Sequence, residues 1–428
     1  MKCYLGIDFG TSGARAIAID DTATPCAQSS LRFAARPPST WATDWQQMLL
    51  TLIQQIPATT RKQTVAIAIN GTSSTVLLCD QDGDPLTAPL LYNDASGRSC
   101  LPRLQTLFAQ PPYQQAAGQA NVLSATSSLV KLLWWQSQPY YSQARFLMHQ
   151  ADWLAFQLHG QPGISDYHNA LKLGYDVFQL RYPDWLESLA VSPLLPRVLS
   201  PGAAIAPIQP ALAQRLGLPE SCLIRAGTTD SIAAFLASGA TIPGEAVTSL
   251  GSTLVLKLLS ETPVEAVTYG IYSHRLGDLW LVGGASNTGG AVLQHFFSTA
   301  EITKLSTQIP FHQESSLHYY PLLQPGERFP INDPSLLPQL EPQPDNSVEF
   351  LHGLLESMAR IEARGYAVLQ QLGASPLLRI FTAGRGATNA AWTAIRERQM
   401  GVPVQPSAQT EAAYGSALLA LRATQNEH

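Results

Sequence analysis

The stretch from Asp8 to Asp20, with Gly10-Thr11-Ser12-Gly13 near its start, sets a carboxylate beside a tight turn lined with hydroxyls. Cys3 to Ile7 reads as a short buried strand and Ala14 to Ile19 as a second, so the turn closes a hairpin. Glycines at both ends of the turn would permit positive φ and let backbone N–H groups approach an anion. Thr11 and Ser12 add hydroxyl donors, and Asp8 is able to hold Mg²⁺ through water. Taken alone, the segment also fits an ordinary hairpin with a glycine and serine turn. The same form returns in Val247 to Leu250, Gly251-Ser252-Thr253 and Leu254 to Leu259, which suggests two related halves. A further carboxylate, Asp230, stands between an apolar run, Leu223 to Gly227, and helical spacing from Ser231 to Ser238, a place where aspartate also serves as a helix cap. No GxxxxGK[ST] sequence exists, which excludes a P-loop as the phosphate cradle.

Around these residues, positions 3 to 33 predict a three-strand meander with Asp20-Asp21 as one turn. Beyond the Pro37-Pro38 break, Trp41 to Ile56 has helical spacing. Val65 to Ile69 and Val76 to Cys79 read as strands about a turn at Gly71, and Asp82-Gly83 marks another turn. Leu123 to Leu158 reads as helical, with Trp134-Trp135 as core and not as a sugar platform. Thr228-Thr229-Asp230 reads as a turn and cap. Prolines recurring from Pro321 to Pro344 exclude a helix or central strand there and leave an ordered surface excursion whose length invites a lid. Val348 to Leu372 predicts a long amphipathic helix, Leu378 to Thr382 a strand, Ala383 to Gly386 a turn and Ala387 to Met400 a helix. A last helix runs from Thr410, its cap, to Arg422, with Glu411 in the first turn. This mixed order predicts an α/β fold.

A chain of 428 residues, 45% hydrophobic, is long enough to bury two cores. The formal charge of −5 and the scattered Lys and Arg give no basic stripe, so nucleic acid is not expected as a partner. Five separated cysteines without a CxxC pair predict reduced thiols, and nine histidines without ligand spacing predict no zinc site. Neither a signal peptide nor an apolar run of ~20 residues is in view, so the expectation is a protein of the cytoplasm or another reducing compartment, with no membrane partner.

Together with the first hairpin, the segments INGTSSTVLLCD from Ile69, AGTTDSIAAFLASG from Ala226, SLGSTLVLKLL from Ser249 and FTAGRGATNAAW from Phe381 resemble the FGGY carbohydrate kinases of the actin-like ATPase superfamily, in order and spacing over nearly the whole chain. HQADWLAFQLHG from His149, SDYHNALKLGY from Ser165 and GGASNTGGAVLQ from Gly283 resemble most the compact D-ribulose kinase group of cyanobacteria and plants. The resemblance implies two actin-like (ribonuclease H-like) domains with mixed sheets flanked by helices and an active-site cleft between them. A sugar-binding domain would span 1–237, with a helix at 411–428 packing back on it, and a nucleotide-binding domain 238–410. It implies ATP as phosphoryl donor with Mg²⁺ at Asp8, and Asp230 as general base, kept ionised by its helix N-terminus. Sugar contacts would come from Asp8, Ser12, Gly13, Ala14, Arg15, Ser73 and Asp230. Nucleotide contacts would come from Thr11, Gly251, Ser252, Thr253, Gly384, Arg385, Gly386 and Asn389, with Trp392 flanking the purine. Arg15 is alternatively a surface partner to an acid. Two positions depart from the family pattern: Arg385 replaces a common glycine and Asn70 a common aspartate. The implied reaction is phosphorylation of a ketopentose primary hydroxyl, D-ribulose first, with D-xylulose, other ketoses, polyols or glycerol as alternatives. A sugar- or nucleotide-sensing protein with little turnover is the rival from another class, favoured by Arg385 and opposed by the presence of both Asp8 and Asp230.

Overall fold

The computed structural model describes residues 1–113 and 119–425. The chain divides into two compact units, one formed by Met1–Ala237 with the chain from Glu411 onward, the other by Ser238–Thr410.

The first unit is built on a six-stranded sheet. Its strands are β1 (Cys3–Phe9), β2 (Gly13–Asp20), β3 (Pro25–Arg32), β4 (Thr64–Gly71), β9 (Ala204–Pro207) and β10 (Leu223–Thr229), in the order β3-β2-β1-β4-β10-β9. The β1–β2 and β2–β3 pairs are antiparallel, whereas β1–β4 and β4–β10 are parallel. Outer β3 alternates between half-buried and exposed residues, while β1 is buried along almost its whole length. A strand covered on both faces reads as a continuous apolar run, which is why Cys3 to Ile7 is so legible. The helix Trp41–Gln55 covers one face through Trp45, Leu49 and Ile53, and the helix Ala412–Gln425 covers the other through Ala413, Ala417 and Leu421. That second helix lies so close that a Cβ on Gly6 would fall 1.9 Å from the Ala413 carbonyl oxygen.

Smaller pairs complete this unit: β5 (Val76–Cys79) with β6 (Phe146–His149), and β7 (Ile164–Asp166) with β8 (Arg197–Leu199). Two expectations change here. Val76–Cys79 is a strand but lies outside the main sheet, so Gly71 does not close a hairpin. The helical run expected over Leu123 to Leu158 is broken by β6, because Phe146-Leu147-Met148-His149 is too short an apolar run for periodicity to separate strand from helix. Trp135 is fully buried, in keeping with a core role.

The second unit carries β11 (Glu245–Leu250), β12 (Leu254–Ser260), β13 (Tyr272–Leu276), β14 (Leu279–Ser286), β15 (Arg379–Ala383) and β16 (Val404–Pro406), ordered β13-β14-β12-β11-β15-β16. Its long helix Ser347–Gln371 buries Leu351, Leu354, Leu355 and Met358 in one core with Leu256, Leu258 and Ile380. The proline-rich segment is an ordered excursion anchored in this core: Leu322 and Phe329 are fully buried there, and Glu327 accepts hydrogen bonds from Ser286, Asn287 and Tyr320. Boundaries shift at two helices. The helix expected from Ala387 begins at Ala390, after a 3-10 turn, and the last helix begins at Ala412, with the Glu411 carbonyl accepting the first amide bonds in place of a Thr410 cap. Residues 426–428 of the expected last helix lie outside the described residues. All five cysteines are free thiols, and among the described residues no helix is long and apolar enough to cross a membrane.

Candidate functional site

In the first unit, three adjacent parallel strands end at one edge of the sheet. Asp8 of β1 stands opposite Asn70 of β4, and Thr228 of β10 also pairs with Asn70. The chain leaves β10 at Thr229 and enters the helix Asp230–Ala237 without the intervening turn that was expected. The carboxyl ends of parallel strands are where open α/β sheets place ligands, because backbone groups and helix starts converge there. Asp230 accepts the Ser231 amide at 2.6 Å. Asp8 is half-buried, its Oδ1 is buried without a partner, and its carboxyl is pushed up to about 7, first by burial and then by the nearby charges of Asp230 and Glu411. A buried orphan carboxylate oxygen beside a second acid suits a cation. Among the described residues no three His, Cys, Asp or Glu side chains cluster as a metal cage. A single carboxylate fits Mg²⁺, which keeps several waters and takes its remaining ligands from phosphate.

The hairpin turn behaves differently from its sequence expectation. Gly10 and Gly13 both lie outside the left-handed region, and the Gly10 amide donates to the Gly13 carbonyl at 3.0 Å. Gly13 is explained by packing, since its Cβ would fall 2.3 Å from the Leu31 carbonyl oxygen of β3. Gly10 is not, since a Cβ there would meet only the Gly13 carbonyl at 3.7 Å and Asp8 Oδ2 at 3.8 Å. Thr11 and Ser12 are exposed at the tip. Ala14 turns its side chain into the core, so only its backbone is left to meet a ligand. Arg15 forms an ion pair with Glu411, the alternative read for it from the sequence. Ser73 follows β4 in the loop Thr72–Thr75, half-buried between buried neighbours. Asn70 is buried, with its amide donating to Ser416 Oγ at 2.8 Å, which ties the last helix to the sheet.

Sequence reasoning missed two features of this unit. Gln150, in HQADWLAFQLHG, accepts the Thr72 amide at 3.0 Å and holds the loop before Ser73. Beside Gly10, Thr11 and Thr72 lies a cavity of about 470 Å³ walled by Phe33, Trp41, Trp45, Met48 and Tyr92. No motif announces it, because its walls come from β3, the first helix and the loop at Leu91-Tyr92.

The second unit contains a cavity of about 670 Å³ lined by Gly251, Ser252, Gly384, Arg385, Gly386 and Asn389, together with Trp392. Six of the eight expected nucleotide residues thus share one pocket. Thr11 belongs to the first unit, and Thr253 does not line this cavity. Gly384, at φ 86°, and Gly386 bring the loop down on Leu250, whose carbonyl oxygen would lie 2.5 Å from a Cβ on Gly384. Gly251 has open space, like Gly10, since its Cβ would meet only the Thr253 carbonyl oxygen at 3.8 Å. Asn389 lines the cavity while already engaged: Oδ1 caps the following helix at the Trp392 amide, and Nδ2 donates to Ser306 Oγ at 2.8 Å. Arg385 is exposed. Gly290, Gln294, Thr299 and Thr303 also line the cavity and were not expected to. The first two lie in GGASNTGGAVLQ, whereas Thr299 and Thr303 sit in a helix without a motif.

Comparison with known proteins identifies the family. Residues 3–237 match the N-terminal domain of the FGGY family of carbohydrate kinases, and residues 246–424 match its C-terminal domain. A xylulose kinase of Bacillus subtilis is 23% identical over 92% of this chain and 82% of its own length, and a ribulokinase of Halalkalibacterium halodurans is 22% identical over 62% and 54%. The crystal structure of a xyloylose kinase from Brucella ovis superposes with a TM-score of 0.83 at 22% identity, covering 99% of this chain and 91% of that one, and shows the actin-like fold. With both family domains spanning nearly its whole length, the chain belongs to the FGGY family and is a carbohydrate kinase.

Proposed function

We propose that this kinase transfers the γ-phosphoryl group of ATP to the primary hydroxyl of a ketopentose, D-ribulose in the first place. The observation that carries the reading is the placement of Asp8, Ser73 and Asp230 at or just beyond the ends of three neighbouring strands of one sheet, with the Asp230 charge felt at Asp8. Asp230, at a helix start, is the general base: it accepts the hydroxyl proton as the O–P bond forms, working by position. Ser12, the Gly13 backbone, Arg15 and Ser73 contact the sugar, Arg15 while paired to Glu411. Asp8 would hold Mg²⁺, which when bound supplies positive charge to the phosphate oxygens. The cavity of the second unit takes the nucleotide, with Ser252 and the Gly251 backbone toward phosphate and Arg385 at the exposed rim. The glycines without a packing reason, Gly10 and Gly251, leave room for a phosphate to approach the chain closely.

The D-ribulose assignment is supported by HQADWLAFQLHG, SDYHNALKLGY and GGASNTGGAVLQ. D-xylulose is the second reading, favoured by the relatives that carry the name xylulose kinase. ADP release measured with Mg²⁺ and D-ribulose, D-xylulose, gluconate or glycerol tests it. The highest kcat/KM is expected with D-ribulose. A tenfold preference for D-xylulose overturns the substrate assignment, and release that no sugar stimulates overturns the phosphotransfer reading.

A further inference from the structure

We propose that Lys131 is a positioning residue for the sugar, holding the loop Thr72–Thr75 from inside the first unit in the shape that offers Ser73 to the substrate. The inference rests on the reading of Ser73 as a sugar contact.

Lys131 lies in the helix Ser128–Trp135 and is fully buried, although its helix neighbours Leu129 and Leu132 fill the same core with apolar side chains. Its Nζ donates to the Ser74 carbonyl at 2.7 Å and to the Leu91 carbonyl at 2.6 Å. Burial draws its pKa down to about 7. An ammonium group withdrawn from water onto neutral acceptors is a costly way to fill a core, and a leucine or methionine would serve packing better. What lysine adds is a short bridge between two carbonyls on separate loops.

The Ser74 end of that bridge is unusual. Ser74 is one of four non-glycine residues at positive φ, 64°, among the described residues, so the loop turns sharply just after Ser73. The rest of the loop is anchored as well. The Thr72 amide donates to Gln150 Oε1, and Thr75 Oγ1 accepts the Tyr92 amide at 3.0 Å. Thr72, Ser74 and Thr75 are buried, and Ser73 alone is half-exposed. A loop fixed on both sides of one hydroxyl presents that hydroxyl without an ordering cost on binding, and Lys131 supplies the hold on the later side.

The test compares Lys131→Met, Lys131→Gln, Ser73→Ala and the double variant Ser73→Ala/Lys131→Met in the full chain, assayed with D-ribulose and with D-xylulose. Circular dichroism establishes that each is folded, and Lys131→Gln, which keeps a shorter, uncharged NH₂ donor, decides the matter should Lys131→Met not fold. Expected is a rise of ~10-fold or more in sugar KM for Lys131→Met, since misplacement of a contact by about 1 Å costs up to ~10²-fold, with KM for ATP within twofold. The double variant should be no worse than Ser73→Ala. Equal rises in both KM values, an unchanged sugar KM, or additive effects in the double variant each overturn the role of Lys131. An unchanged sugar KM in Ser73→Ala instead overturns the reading of Ser73 on which the inference stands.

Discussion

The two units share a five-stranded sheet and differ at its strand ends. Antiparallel β1–β2–β3 with parallel β4 and β10 matches antiparallel β11–β12–β14 with parallel β15 and β16, strand for strand and direction for direction. Aligned on their hairpins, Asp8 corresponds to Ser249 and Asn70 to Ala383, the residues opposite each other in the two central parallel pairs. One scaffold therefore presents a carboxylate in the first unit and a small hydroxyl in the second. The first ends in acids suited to a metal and a proton, the second in glycines and hydroxyls that open a cavity for an uncharged or anionic group. The scaffold supplies the position, and one residue at each strand end supplies the chemistry.

Removing the base should have the largest effect. Asp230→Ala is expected to lower kcat by ~10² to 10⁴-fold while sugar KM stays within a few-fold, read by steady-state ADP release. Turnover near that of the wild type would remove Asp230 from the reaction.

Asp8→Ser, which gives the first unit the strand end of the second, should abolish most Mg²⁺-dependent turnover yet stabilise the protein. The folded-state pKa of Asp8 lies near 7, above the 3.8 of an ordinary aspartate, so the folded protein binds the extra proton and loses stability as pH rises from about 4 through 7. At pH 8 the variant should therefore unfold ~1 to 3 kcal/mol later than wild type in denaturant titrations, with the gain shrinking at pH 4. A loss of stability at pH 8 would mean that Asp8 is held by a favourable partner.

Glycine-to-alanine changes separate ligand from packing. Gly384→Ala meets the Leu250 backbone and a left-handed φ, so it should cost ~1 to 3 kcal/mol of stability. Gly10→Ala and Gly251→Ala have open space and should change stability by under ~1 kcal/mol while raising KM for ATP about tenfold, as a phosphate is kept from the chain. Thermal melts beside ATP titrations distinguish the two cases. The smallest effect is expected from Arg385→Gly, ~2 to 5-fold in KM for ATP and none in that for sugar, because an exposed charge is largely screened.

Much of the fold was legible from local pattern. Strands β1, β2, β11 and β12 and the helices around Trp41 and Val348 announce themselves because both faces or one full stripe are buried, and that burial writes a run or a period into the sequence. The short strand β6 did not, because four apolar residues carry no period of their own. The site divides along the same line. The residue types at turns, Asp8, Gly10 to Gly13, Gly251 to Thr253 and Gly384 to Gly386, were visible because such turns admit few alternatives.

Sequence alone determined which residues are chemically able to act, since that follows from side-chain type and spacing, and the echoed hairpin suggested two like halves. Tertiary structure decided which of those groups are free to act. It gave the Asn389 amide to a helix start and Ser306, set Arg15 against Glu411, put Ala14 in the core and raised Asp8 by burial beside Asp230. It also brought Lys131 to Ser74 and Gln150 to Thr72, contacts spanning 57 and 78 residues of chain. Hydrogen bonding and desolvation depend on neighbours in space, and pairings at that separation leave no mark on the local pattern.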